Sequence, residues 1–145
     1  MTFLLDVNVL IALIDPAHIS HDPAHQWFES VGKVSWATCP ITENGVIRIV
    51  GHASYPNTPG STADVAAIMA KMCGLSGHAF WPDSLSLTDA AHVDASQVLT
   101  SAQVTDTYLL ALARANGGKL ATFDRRLSVK AVKGGKETLH IIGNS

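Results

Sequence analysis

Five short apolar runs recur along the chain, and this spacing constrains the fold more than any other feature. They are TFLL (2–5), KVSWAT (33–38), HAFWP (78–82), KLATF (119–123) and TLHII (138–142). Between the first four lie segments with helical periodicity. DVNVLIALI (6–14) is predicted as a helix ended by Pro16, and HDPAHQWFESV (21–31) as a second, with Asp22 as N-cap and Pro23 at the first helical position. PITENGVIRIVGH (40–52) starts near Pro40 and repeats Ile41, Gly45, Ile49 and Val46, Val50 at helical spacing. YPNTPGS (55–61) reads as a loop, STADVAAIMAKMCG (61–74) as a helix stopped by Gly74, and AAHVDASQVL (90–99) as a short helix. TDTYLLALARANGG (105–118) has Thr105 as N-cap, Asp106 in its first turn, an apolar face of Leu109, Leu110, Leu112 and Ala113, and a Gly117-Gly118 stop. Strands alternating with helices predict βαβ units: an α/β/α sandwich with a central parallel sheet and right-handed crossovers.

With 145 residues, 47% hydrophobic and 15% charged, the chain is expected to be one globular domain, 1–145. Cys39 and Cys73 stand far apart and form no CxxC pair, which speaks against a disulfide framework and suits a reducing compartment. The opening apolar run has no basic leader, carries Asp6 and meets Asp15-Pro16 too soon to span a bilayer. A soluble, cytoplasmic protein is expected, with no membrane contact. The formal net charge of -2 carries no global signature for nucleic acid, so such a site must rest on local charge or on bound cations.

The acids are more informative. Asp6 follows FLL and Asp124 follows LATF, both at the carboxyl end of a predicted strand, where open parallel sheets form their ligand sites. Glu43 follows Pro40 and Asp106 follows Thr105, both near predicted helix starts that favour an ionised carboxylate. Four carboxylates converging at the border of the core would repel one another, and a hard divalent cation with oxygen ligands relieves that. Each acid also has a structural reading. Asp106 suits a first-turn dipole acid, Asp124 in FDRR a turn, and Glu43 half of a capping arrangement. Asn8 suits a backbone hydrogen bond at its helix start. Asp6, inside an apolar run, is the hardest to explain structurally.

LLDVNVLIAL, ITENGVIRIV and TDTYLLALARANGGKLATFD, in this order, resemble PIN-domain ribonucleases, and most of all the VapC toxins of bacterial VapBC toxin–antitoxin modules. The resemblance spans 2 to about 127. It implies an acidic cluster of Asp6, Glu43, Asp106 and Asp124 holding Mg²⁺ or Mn²⁺, with Asn8, Thr105 and Thr122 as supporting polar groups. The implied activity is endoribonucleolytic: a metal-activated water cleaves a phosphodiester bond. Asp6 and Asp106 are the expected direct ligands, with Asp124 a ligand or a support. Glu43 is expected on a second metal or on the attacking water. Arg125 and Arg126, beside Asp124, are candidates for flanking phosphates, with a solvated turn as the equal alternative. Arg48, one turn beyond Asn44, would face the same rim or the antitoxin. The resemblance also implies a VapB-like antitoxin partner, a homodimer, an RNA substrate, and DNA binding only through the antitoxin.

Two other classes stay open. A haloacid-dehalogenase-like phosphatase also opens with a strand-end Asp, but its second acid is replaced here by Asn8. A catalytically idle PIN module would bind RNA or antitoxin without cleavage. His18, His21 and His25 have helical spacing, but without HExxH or a nearby Cys they read as surface histidines before a zinc site. Trp27, Phe28, Trp36 and Trp81 are spaced for core packing rather than base stacking.

Overall fold

The computed structural model describes residues 1–143. Five parallel strands form one sheet in the order β3-β2-β1-β4-β5: β1 Phe3–Leu5, β2 Trp36–Thr38, β3 His78–Phe80, β4 Lys119–Thr122 and β5 Leu139–Ile141. Six helices connect them: α1 Val7–Ile14, α2 His21–Ser30, α3 Pro40–Val50, α4 Thr62–Cys73, α5 Val104–Ala115 and α6 Gly135–Thr138.

The central strands β2, β1 and β4 are buried on both faces, so their side chains alternate between two apolar cores, while the flanking β3 and β5 are more open. Phe3, Leu5, Trp36 and Ala121 pack with α1 to α4. Leu4, Ala37 and Leu120 pack with α5 and the segment around Ala131 and Val132. The predicted sandwich with helices on both faces is the observed one. The aromatic residues pack as expected. Trp27 meets Phe3 edge-on at 5.1 Å, and Phe28 meets Trp36 at 5.4 Å. Trp81 lies partly buried on the second core.

Several boundaries differ from the sequence reading, each for a local reason. In KVSWAT only Trp36–Thr38 is strand, while Gly32–Val34 is a 3₁₀ turn. Gly32 lies under Trp27, where a Cβ would stand 2.5 Å from the indole, and Val34 is exposed, so the apparent alternation does not reflect burial. The stretch 90–99 holds only a 3₁₀ turn at Ala95–Gln97. Asp89 and Asp94 bond nearby backbone N–H groups there and draw the chain out of a helix. Helix α2 begins at His21 after Ser20, so Asp22 is a first-turn acid and not the cap. Pro23 falls at the third helical position, still within the turn whose N–H groups lack intrahelical partners.

The histidines explain why α2 begins early. His21 Nδ1 donates to Ala12 O at 2.7 Å and His25 Nε2 to Leu13 O at 3.0 Å. They satisfy free carbonyls at the end of α1. They are neither a zinc pair nor a plain solvated surface.

Helix α5 also starts before the predicted cap. Thr100 and Gln103 form a capping box around a 3₁₀ turn at Ser101–Gln103, which runs into α5. Thr105 is therefore an exposed residue inside the helix and not its cap. No described helix is long and apolar enough to cross a membrane.

Candidate functional site

Strands β1 and β4 are neighbours, with Leu5 opposite Ala121. The chain runs from β1 outward to β2 and β3, then crosses back to β4 and β5, so the strand order reverses between β1 and β4. Ligands gather at such a switch point, outside the carboxyl ends of the strands. Asp6 and Asp124 follow the two strands that flank it.

Asp6 closes the ladder, its N–H donating to Ala121 O at 3.0 Å, and its carbonyl accepts from Val9 and Leu10. Its Oδ1 caps α1 by accepting from Val7 N at 2.7 Å. This is a structural role for Asp6 that its place in an apolar run does not suggest, and it leaves Oδ2 for other work. Thr122 Oγ1 donates to Oδ2 at 2.8 Å. The same hydroxyl accepts from Asn8 Nδ2 at 3.0 Å and from Asp124 N at 3.1 Å. One donor and two acceptor sites are thus all in use. Asn8 Oδ1 accepts from Phe123 N at 3.2 Å, so Asn8 binds backbone across the switch point and not in its own helix. Asp124 Oδ1 accepts from Arg126 N at 2.9 Å, forming the predicted turn while remaining at the rim.

Electrostatics tie the third acid to these two. Asp106, in the first turn of α5, is pushed up to about 6 by burial, then by the charges of Asp6 and Asp124. Burial also raises Asp6, opposed by its hydrogen bonds to Thr122 and Val7, and Asp124 raises it further. The charges of Asp6 and Asp124 thus reach Asp106 at the carboxyl ends of the central strands β1 and β4.

Glu43 takes its contacts elsewhere. It lies in the first turn of α3 after β2, and its Oε2 accepts from Thr38 Oγ1 at 2.6 Å. Cys73 Sγ lies 3.9 Å from the same oxygen, and Thr38 Oγ1 is 2.8 Å from His78 Nε2. Glu43, Cys73 and His78 form a compact group whose charge acts on its own members: burial and Glu43 raise the Cys73 thiol, while burial lowers His78 against the pull of Glu43. Nothing in the sequence points to Cys73 or His78. They meet Glu43 because β3 pairs with β2, setting Trp36 opposite His78, and because α4 ends at Cys73. The remaining candidates are surface groups. Arg48 and Arg126 are exposed, and Arg125 Nη2 donates to Gly143 O at 3.1 Å. Both cysteines are free thiols, Cys39 buried and Cys73 half-buried.

Comparison with known proteins agrees with this architecture. A family profile described as PIN domain matches residues 3–133. Ribonuclease VapC39 of Mycobacterium tuberculosis is 44% identical over 139 residues, which is 96% of this chain and 100% of that protein. The crystal structure of Mycobacterium tuberculosis VapC20, described as a Sarcin-Ricin loop cleaving toxin, superposes with a TM-score of 0.65 at 13% identity, covering 90% of this chain and 96% of the other. VapBC2 from Rickettsia felis, solved bound to a DNA fragment from its promoter, gives 0.61 at 11% identity, with 97% and 98% covered.

Proposed function

This chain belongs to the PIN-domain family, among its VapC ribonucleases, and from that premise we propose how its rim works. Asp6, Asp106 and Asp124 hold Mg²⁺, or Mn²⁺ in its place, and the protein cuts RNA as the toxin of a VapBC-type pair. The observation that supports the reading is the electrostatic coupling of Asp106 to Asp6 and Asp124 at the switch point, where Thr122 Oγ1 bonds the Asp6 carboxylate and the Asp124 backbone N–H.

The residues fit such an ion. The three carboxylates offer an all-oxygen donor set, which suits hard divalent cations. Asp106 is raised first by burial and then by two neighbouring carboxylates, and a cation relieves that repulsion. When bound, the ion activates a water and offsets phosphate charge. The protein supplies the positioning. Thr122 favours the ionised form of Asp6 against its burial and aims its Oδ2, and Asn8 locks the end of β4 against the start of α1. Glu43, on the neighbouring strand-to-helix junction, positions the attacking water or a second cation. Arg125, Arg126 and Arg48 hold flanking phosphates of the RNA.

A water nucleophile leaves a 5′-phosphate and a 3′-hydroxyl and makes no use of the RNA 2′-hydroxyl. The phosphatase alternative weakens at Asn8, whose amide is committed to Thr122 and Phe123. A VapB-like antitoxin restrains the enzyme by placing a basic side chain against the acids. The protein works in the cytoplasm as a homodimer. Mapping the ends of RNA cut in the presence of Mg²⁺ tests the reading. Cyclic 2′,3′-phosphate ends, or cleavage undiminished by chelation, would overturn it.

A further inference from the structure

Beyond the acidic rim, we infer that Glu43, Cys73 and His78 form a second metal site, selective for a thiolate- and imidazole-preferring ion of the Zn²⁺ class. The carboxylate oxygen, the thiol sulfur and a ring nitrogen all lie within 4.8 Å of one another. In a tetrahedral Zn²⁺ site, bond lengths of about 2.0–2.3 Å set ligand atoms roughly 3.3–3.7 Å apart, so the three need to close by only about 1 Å. They also have a common centre already. Thr38 Oγ1 reaches Glu43 Oε2 at 2.6 Å and His78 Nε2 at 2.8 Å, with Cys73 Sγ at 4.0 Å.

The hydroxyl has one proton, which goes to Glu43 Oε2, and its contact with His78 Nε2 runs in either direction with the ring tautomer. A cation would satisfy the carboxylate and the imidazole together and displace the thiol proton to solvent. Sulfur and nitrogen donors distinguish this site from the all-oxygen rim: Mg²⁺ favours the rim and Zn²⁺ favours Cys73 and His78. Three protein ligands leave a fourth position open to water.

A regulatory consequence rests on the function proposed above: with Glu43 held on Zn²⁺, cleavage driven by Mg²⁺ falls. The binding itself does not depend on that function. The full chain is titrated with Zn²⁺ against a chromophoric chelator, and with Co²⁺ for thiolate-to-metal charge-transfer absorption. Wild type is expected to take up one ion per chain and to show that absorption. Cys73→Ser and His78→Gln should weaken binding by about 100-fold, while Asp6→Asn and His25→Gln leave it unchanged. Equal binding by Cys73→Ser, absence of the charge-transfer band, or loss of binding in Asp6→Asn would each overturn the site.

Should Cys73→Ser not fold, the wild-type protein still decides the question. Zn²⁺, but not Mg²⁺, should protect Cys73 from iodoacetamide, with buried Cys39 as the internal control, and lack of protection would refute the site. Zn²⁺ inhibition of RNA cleavage should vanish in Cys73→Ser. If no preparation cuts RNA while Zn²⁺ still binds, the nuclease reading fails and the metal site stands.

Discussion

Thr122 gives its only hydroxyl proton to Asp6 Oδ2 across the gap between β4 and β1, at 2.8 Å. The bond lowers the pKa of a carboxyl that burial raises. It also fixes the side chain at the carboxyl ends of the central strands, where the strand order reverses. Thr122→Val keeps the shape and removes the proton. Asp6 should then ionise less readily, and Asn8 Nδ2 and Asp124 N each lose an acceptor. Metal affinity and cleavage should fall by about 10–100-fold, the range for groups that orient ligands. Mg²⁺ titration of both proteins measures this, with the RNA cleavage rate alongside.

Asp6→Asn separates the two jobs of this residue. Asn caps helices about as well as Asp, so the Oδ1 bond to Val7 N is retained and α1 stays in place. The charge is gone. Cleavage should drop by about 100-fold or more while the melting temperature holds or rises, because a buried charge facing like charges has been removed. A circular dichroism melt beside an RNA cleavage assay decides it, and full activity in this variant would sink the assignment.

Much of this site is legible in the amino-acid sequence, and the reasons are physical. Asp6 stands out because a strand-end acid inside an apolar run is costly to bury without a partner, whereas Asp124 in FDRR alone reads as a turn residue. That their strands are neighbours is not legible, since strand order depends on crossover connections and not on periodicity. Thr105 resembles a cap because Thr-Asp before an apolar run is a strong local signal, yet Thr100 and Gln103 start the helical path one turn earlier. Cys73 and His78 are invisible beside Glu43 in the sequence, because strand pairing brings them together from thirty or more residues away.

The pH behaviour of Asp106 gives a signed test. Its folded value, about 6, lies above the ordinary 3.8. Between these values the folded state binds more protons than the unfolded one, so this group costs stability as pH rises through the window. Asp106→Asn removes that cost. Without metal, the variant should gain melting temperature over wild type as pH goes from about 4 to about 7. Excess Mg²⁺ should reverse the order at neutral pH, because it binds the folded wild type more tightly. Paired melts across pH, with and without Mg²⁺, check both signs.

Asp15 predicts the opposite slope. It is buried at the end of α1 and accepts from Tyr55 OH, from Asn57 Nδ2 at 2.6 Å and from Ala17 N at 2.9 Å. Burial raises its pKa, but these bonds prevail and hold it below 3.8, so it stabilises the fold above that pH and loses the effect as pH falls through the lowered value. Tyr55→Phe should cost about 1 kcal/mol at neutral pH, and less in acid. Urea unfolding at two pH values measures both.

Gly45 should not accept a side chain, although it sits mid-helix where Ala is normally favoured. A Cβ there would stand 2.8 Å from Val7 Cγ2. Val7 is β-branched and stiff in its helix, so relief must come from α1 moving against α3. Overpacking of this kind costs about 1–3 kcal/mol, against about 1 kcal/mol gained in helix propensity. Gly45→Ala should therefore be neutral to destabilising by about 2 kcal/mol. Activity should respond more sharply, because Val7 lies between Asp6 and Asn8 and any shift of α1 moves both away from Thr122. Val7→Ala clears the space, so the double variant should recover cleavage that Gly45→Ala alone loses. A double-mutant cycle on the cleavage rate tests this coupling, and additive effects would show that α1 and α3 do not set the site through this contact.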